Sequence, residues 1–309
     1  MKRVLVTGAT GFIGRYVCAE FNRRGFTVIG GVRATGPGVD ACHETRVLGN
    51  LESWRSDALG PAVAGVEIVV HLAARVHLMN DSAANPLEAF RTANVEATGA
   101  LFSAAAKAGA KRFIYVSSIK AATFDLEKEE DPYGQSKVEA ERLIRTLSSE
   151  TGLEYVVIRP PLVYGAGVKA NFLQLLRWVD RGVPLPLGSI NNRRSLVFAG
   201  NLAHAIADTA EHPGAANQEF SVSDGEPLST PNLTRGLAHA LGTRARLIPV
   251  PVAVLRLMGA VTGKSKVIDR LAGSLVVDDT LARFKFGWQA PVSFEQGLRE
   301  TVEWFRGSK

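Results

Sequence analysis

The chain has 309 residues, 46% hydrophobic and 21% charged, which supplies a large core and excludes a disordered polypeptide. The net charge of +6 comes from scattered Lys and Arg with no basic, aromatic-interleaved stripe, which argues against nucleic acid and for a small anionic ligand such as a diphosphate. Two cysteines, Cys18 and Cys42, give neither a disulfide framework nor a metal-ligand spacing, so they read as free thiols of a reducing cytoplasm and no metal is expected.

Val4-Leu5-Val6 is a continuous apolar run ended by Gly8, as a fully buried parallel strand would be. Because the N-terminus enters this strand at once, no signal peptide is expected. Phe12–Arg24 has helical periodicity and stops at Gly25; Thr27–Val32 is a second strand. Val66–Leu72 is a further strand, Pro86–Ala108 a long helix closed by Gly109, and Phe113–Ser117 a strand. Pro132–Glu150 is a helix stopped by Gly152, and Tyr155–Arg159 a strand before Pro160-Pro161. This alternation predicts an α/β fold, a doubly wound parallel sheet of the Rossmann type.

After about residue 165 prolines and glycines punctuate the pattern. Helical patterns recur at Asn201–Glu211, Thr230–Leu241, Val252–Val261 and Phe294–Phe305, with short strand candidates at Ser195–Phe198, Glu219–Val222 and Leu247–Pro249. The expected organisation is a dinucleotide-binding domain over 1–165, to which later segments can return, and a smaller α+β substrate lobe over 166–309 that completes a cleft. No apolar run reaches the ~18 residues of a membrane span.

Thr7-Gly8-Ala9-Thr10-Gly11-Phe12-Ile13-Gly14 joins the first strand to the first helix. Gly8 permits the tight turn, Gly11 a close approach to a pyrophosphate, and Gly14 the packing of helix on strand. The helix start, with Thr10, Phe12 and Ile13, then offers unpaired N–H groups to an anion. NAD binders usually place an acid at the end of the second strand. Here Val32-Arg33 has none, and Arg33 suits a 2′-phosphate, so NADP(H) is favoured and NAD(H) is the alternative. Asn50-Leu51 is placed to border the adenine.

Asp131-Pro132-Tyr133 opens the later helix, with Asp131 as a natural N-cap. Glu127, Glu129 and Glu130 before it read as a solvated loop. Tyr133 and Lys137 are i and i+4, on one face. A free tyrosine has a pKa near about 10. A neighbouring ammonium and the helix N-terminus are expected to lower it, making Tyr133 a proton carrier during hydride transfer. Ser118, at the end of the preceding strand, can hydrogen-bond the reacting oxygen.

With Thr7–Gly14, His71-Leu72-Ala73-Ala74, Asn94, Val116–Ser118, Tyr133/Lys137, Arg159–Gly165 and the C-terminal Phe286-Gly287-Trp288, the chain resembles the extended short-chain dehydrogenases/reductases of the NAD-dependent epimerase/dehydratase family. The resemblance implies that Ser118, Tyr133 and Lys137 are catalytic, that Lys137 also holds the nicotinamide ribose, and that Leu72, Ala73, Ala74, Asn94 and Pro160 line the cofactor. It implies a nucleotide-sugar substrate, UDP-linked, with Ser118, Lys120, Asn171, Arg194 and Arg270 as further binding residues. It also implies a homodimer paired through the two long helices.

Members that dehydrate carry Asp-Glu directly after the serine or threonine; this chain has Ile119-Lys120, which argues against dehydration. Two redox reactions remain. The segments Ser118–Lys120, Arg159–Gly165 and Lys169–Phe172 resemble the O-antigen subgroup, which favours NAD(P)H-dependent reduction of a UDP-4-keto-6-deoxy-N-acetylhexosamine to a UDP-N-acetylquinovosamine-type product. A UDP-sugar 4-epimerase is the next reading. A non-catalytic NADP-binding sensor would normally have lost Tyr133 or Lys137, and Asn171 with Arg194 speak against a flavonoid-like or steroid ketone.

Overall fold

The computed structural model describes residues 1–36, 39–76, 85–124, 131–263 and 265–308. Glu127, Glu129 and Glu130 lie outside the described residues, as do the side chains of residues 266, 267 and 270. In chain order the elements begin β1 (Arg3–Thr7), α1 (Phe12–Arg23), β2 (Thr27–Val32), β3 (Glu44–Val47), α2 (Gly60–Val63) and β4 (Ile68–His71). Then come α3 (Pro86–Arg91), α4 (Ala97–Lys107), β5 (Arg112–Val116), α5 (Ile119–Ala122), α6 (Pro132–Thr151) and β6 (Glu154–Arg159). The remainder is β7 (Leu162–Tyr164), α7 (Ala170–Asp180), β8 (Leu196–Phe198), α8 (Ala199–Thr209), β9 (Gln218–Ser221) and α9 (Thr230–Ala240). Four helices end the chain: α10 (Val252–Val261), α11 (Ser265–Ala272), α12 (Thr280–Phe286) and α13 (Phe294–Gly307).

Two compact units form. The first comprises Met1–Pro160, Leu202–Val222 and Asp279–Trp288; the second comprises Pro161–Asn201, Ser223–Asp278 and Gln289–Lys309. The first stretch of the first unit runs to Pro160, and β7, just beyond it, pairs with β8 in a separate two-stranded sheet. A three-residue strand behind two prolines leaves almost no periodic signal.

The first unit is built on one parallel sheet in the order β3-β2-β1-β4-β5-β6-β9. The strand order reverses between β1 and β4, the switch point outside which α/β sheets bind ligands. Both faces of the central strands are covered, so they carry no polar alternation: Val4, Leu5, Val6, Val69, Val70, Phe113 and Ile114 are fully buried. One face joins Leu5, Ile29, Val69, Phe113, Tyr115 and Val157 to Leu101, Phe102 and Ala105 of α4 and to Ala140 and Ile144 of α6. On α1, Cys18 is buried and its thiol hydrogen-bonds that of Cys42, so both expected free thiols stand together. The hydrogen bond to Cys42, and after it burial, push the Cys18 thiol upward.

The single helix expected over Pro86–Ala108 is interrupted. Thr92–Glu96 forms a π turn between α3 and α4, and Asn94 sits inside it. Such turns re-aim one side chain without ending the helix. Close packing of α4 on α6 is set at Gly99, where a Cβ would come within 2.7 Å of Leu143 Cδ2.

In the second unit the Tyr164 hydroxyl donates to Asp224 Oδ2 at 2.8 Å, while Asp224 also accepts from Phe198 N–H and Asn201 Nδ2. Burial raises the Asp224 pKa, and these donors oppose that rise. Leu247–Pro249, expected as a strand, makes only an isolated bridge from Leu247 to Leu185. Pro249 and Pro251 remove the donors that a longer ladder needs. No described helix is long and apolar enough to cross a membrane.

Candidate active site

The glycine loop leaves β1 at Gly8, whose φ of +69° lies in the left-handed region. A Cβ on Gly14 would stand 2.1 Å from Gly8 O and 2.9 Å from Ala9 Cα, so α1 packs directly on the loop. Gly11 is the N-cap of α1, with no side-chain cap and no acid in the first turn. A Cβ on Gly11 would meet only Gly8 O, at 3.0 Å, among the described residues within 4 Å. The loop therefore presents bare backbone and uncapped N–H groups, which fits the diphosphate of a dinucleotide.

Thr7 ties this loop to the segment after β4. Its Oγ1 accepts from Leu72 N–H and Ala73 N–H, both at 3.2 Å. The Thr7 hydroxyl then has its proton left for His71 Nδ1, 2.7 Å away. His71 Nε2–H in turn donates to Thr98 Oγ1 at 3.0 Å, and Thr98 donates to the Asn94 carbonyl at 2.6 Å. This relay assigns His71 the neutral Nε2–H tautomer. Burial, aided by the Lys137 charge, holds its pKa near 3.

Asn94 does not offer a free amide. Its Oδ1 accepts from Arg75 N–H at 2.8 Å, and its Nδ2 donates to Arg75 O and to Ser136 Oγ, both at 3.0 Å. Asn94 thus acts on the site by fixing the chain that follows Leu72, Ala73 and Ala74, which are half-buried. Beyond β2, Arg33 is exposed; Asn50 is exposed after β3, and Leu51 packs against the core. Pro160 follows β6 and accepts from Ile119 N–H at 3.0 Å.

Ser118 caps α5, and its Oγ accepts from Lys120 N–H at 3.3 Å. It also hydrogen-bonds the Tyr133 hydroxyl. One residue earlier, the buried Ser117 hydroxyl has no partner among the described residues. An unsatisfied hydroxyl at the carboxyl edge of a parallel sheet fits a site meant to hold a polar ligand.

The geometry overturns two electrostatic expectations. Tyr133 is pushed up to about 12, not down. Loss of hydration dominates, Asp131 adds to it, and the Ser118 hydrogen bond opposes it without winning. Lys137 Nζ stands 5.9 Å from the centre of the Tyr133 ring, but its hydrogen bonds go elsewhere. Its Nζ donates to the Tyr115 hydroxyl at 3.1 Å and to Val116 O at 3.2 Å. Lys137 is only 2% exposed, and burial lowers its pKa to about 8 while Glu141, one turn along α6, raises it. Glu141 is itself anchored by Arg159, which also holds Glu219.

Asp131 occupies the N-cap position of α6 but makes no side-chain cap. Its carboxylate is taken by Lys120 Nζ, and Lys120 stands 5.6 Å from the centre of the Tyr133 ring. Lys120 thus lies beside the tyrosine while its charge is paired with Asp131.

The second unit holds the other candidates. Asn171 is exposed in the first turn of α7, next to Ala170, whose φ is +52°. A non-glycine residue in that region costs about 1 kcal/mol, and such strain gathers at functional loops. Arg194 is half-buried, paired through its backbone with Leu228, and its Nη1 donates to Gly273 O at 3.4 Å. Burial lowers its pKa. Asn192 donates to Thr230 Oγ1, Leu271 O and Gly273 O. The second unit thereby brings Arg194 beside the end of α11, the helix that carries Arg270.

Residues 4–223 match the NAD dependent epimerase/dehydratase family. The chain belongs to that family. A UDP-glucose 4-epimerase of Vibrio cholerae is 39% identical over 318 residues, covering 98% of this chain and 95% of that protein. UDP-N-acetylglucosamine 4-epimerase from Bacillus cereus is similar in fold, with a TM-score of 0.79 at 20% identity, covering 99% of this chain and all of that one. MoeE5, solved with UDP-glucuronic acid and NAD, gives a TM-score of 0.77 at 25% identity over 99% of this chain and all of its own. Within this family member, Tyr115, Ser136 and Glu141 support the site although the sequence reading does not single them out. Tyr115 and Ser136 act through partners distant in the chain, and Glu141 is held by one, Arg159.

Proposed function

We propose that the chain is a nucleotide-sugar 4-epimerase, inverting C4 of a UDP-hexose by oxidation followed by re-reduction. The observation that carries this reading is the near-full-length likeness to the Vibrio cholerae UDP-glucose 4-epimerase. The hydrogen-bonded Ser118–Tyr133 pair supports it. A bound nicotinamide dinucleotide would supply the hydride acceptor and donor. The Gly8–Gly14 loop and the start of α1 hold its diphosphate, and Leu72–Ala74 and Pro160 line it. Lys137 has three donors, of which Tyr115 and Val116 occupy two, so the third is left for a ribose hydroxyl. Tyr133 moves the proton of the sugar O4, and Ser118 holds the same oxygen. Asn171, Arg194 and Arg270 bind the UDP diphosphate. Ile119 is buried and Lys120 is engaged by Asp131, so neither replaces the acid that water elimination needs. A homodimer through α4 and α6 belongs to the same reading.

A second reading, favoured from the sequence, keeps specific support. Arg33 stands where NAD binders carry an acid, and burial leaves Tyr133 protonated, as a proton donor to a ketone should be. Under it the chain spends NADPH to reduce a UDP-4-keto-6-deoxy-N-acetylhexosamine in surface-polysaccharide synthesis.

Cofactor stoichiometry decides between them. The epimerase reading expects UDP-glucose or UDP-N-acetylglucosamine to reach equilibrium with its galacto epimer with catalytic NAD and no net change in reduced-cofactor absorbance. Stoichiometric NADPH oxidation with the 4-keto-sugar, and no epimer formed, would replace it by the reductase. Arg33→Ala is expected to raise the KM for NADPH about 10- to 100-fold and leave that for NADH unchanged. Equal effects on both would remove Arg33 from the 2′-phosphate.

A further inference from the structure

Helix α10 reads Val-Ala-Val-Leu-Arg-Leu-Met-Gly-Ala-Val, with Arg256 its one charged residue. A helix apolar nearly all round belongs in an interior. Here only one seam is covered. Leu255 and Gly259 are buried, and a Cβ on Gly259 would lie 2.9 Å from Ile268 Cγ1 and 3.3 Å from Ser265 Cα. That seam packs α10 on α11 as a helical hairpin. The opposite side is open: Val254 is 45% exposed, Leu257 67%, Met258 56% and Val261 81%. These positions are i, i+3, i+4 and i+7, one continuous stripe.

The sequence on either side of the helix is basic. Arg244, Arg246 and Arg256 are exposed, and in the sequence Lys264 and Lys266 follow the helix. Asp269 is the one acid between Thr243 and Val277, and it is paired with Arg256 at 3.2 Å.

We propose that α10 and its basic flanks form a docking surface for a bilayer rich in anionic phospholipid. Val254, Leu257, Met258 and Val261 enter the interfacial zone while the flanking cations meet the headgroups. An apolar stripe bordered by Lys and Arg on a surface helix is the pattern of helices that lie in the membrane plane. A second copy of the chain suits the face less well. A two-fold contact would set the basic flanks of one copy against those of the other. This surface is independent of which C4 reaction the first unit performs.

The test is flotation of the full-length protein with vesicles of phosphatidylcholine alone or with added phosphatidylglycerol. Binding is expected only to the anionic vesicles, weakening as salt rises. Leu257→Ser/Val261→Ser should lower that binding at least about tenfold while leaving the urea midpoint and turnover unchanged, since both side chains are exposed. The proposal fails if the parent protein ignores anionic vesicles, or if the double variant floats as well as the parent. If the parent ignores vesicles and the variant halves in sedimentation mass, the face belongs to a second copy.

Discussion

Tyr133→Phe is expected to lower kcat by about 10²- to 10⁴-fold, the range that one positioned proton carrier supplies. Cofactor affinity should stay within a few-fold of the parent, because the lost hydroxyl bonds Ser118 and not the glycine loop. The pH profile adds a second readout. Burial holds Tyr133 at about 12, above the ordinary value of 10.0, so near neutrality it is a phenol. Oxidation of a sugar hydroxyl needs the phenolate, so its rate should climb with pH up to the apparent pKa in the complex. Ketone reduction needs the phenol, so its rate should fall through the same point. Because the Ser118 hydrogen bond lowers the Tyr133 pKa, Ser118→Ala should move either limb to higher pH. A Phe variant that keeps the parental rate would take the proton transfer away from Tyr133.

The second large effect is expected at Lys137. Its pKa lies near 8 in the folded chain against the ordinary 10.5, because burial penalises the charge. Between those values the unfolded chain binds more protons, so stability rises with pH through that window, and below it the buried ammonium costs about 3 kcal/mol. Lys137→Met keeps an apolar stem and removes that cost, offset by about 1–2 kcal/mol for the acceptors left at Tyr115 and Val116. The variant should be no less stable than the parent at neutral pH, should lose the stability gain between pH 8 and 10.5, and should fall in kcat by about 10²-fold or more. Urea midpoints measured across that window check it. A Met variant that kept the parental pH slope would show that another group titrates there. A site that stores such a cost in its lysine trades stability for function.

Much of this site is legible in the amino-acid sequence, and for a local reason. The glycine loop, the strand-end Ser118 and the Tyr133/Lys137 pair each lie within a few residues of a turn or helix start, where spacing alone sets geometry. The direction of the Tyr133 pKa is not legible there. It depends on how deeply the hydroxyl is desolvated and on where Lys137 points, and Lys137 points to Tyr115, a strand residue that looks like ordinary core in the sequence. His71, Thr98 and Thr7 are linked across residues 7 to 98, a chain of bonds that no periodicity encodes. Asp131 reads as a cap because its position is right; Lys120 claims its carboxylate instead. In the second unit, β7 leaves no signal because three residues carry too little pattern, whereas Leu247–Pro249 carries a strand's pattern but too few donors.

The sheet of the first unit has a consequence for how the chain is made. β6 is completed by residue 159, but its outer neighbour β9 arrives only at Gln218–Ser221, and α12 docks later still. While a ribosome is extending the intervening stretch, β6 has an unpaired hydrogen-bonding edge, and its own Val156, Val157 and Ile158, fully buried in the finished fold, lie along it. Strands that must wait for distant partners fold slowly and invite pairing with other chains. A fragment ending near residue 165 would retain every residue of the glycine loop and the Ser118–Tyr133–Lys137 group, and would still be expected to aggregate at that edge.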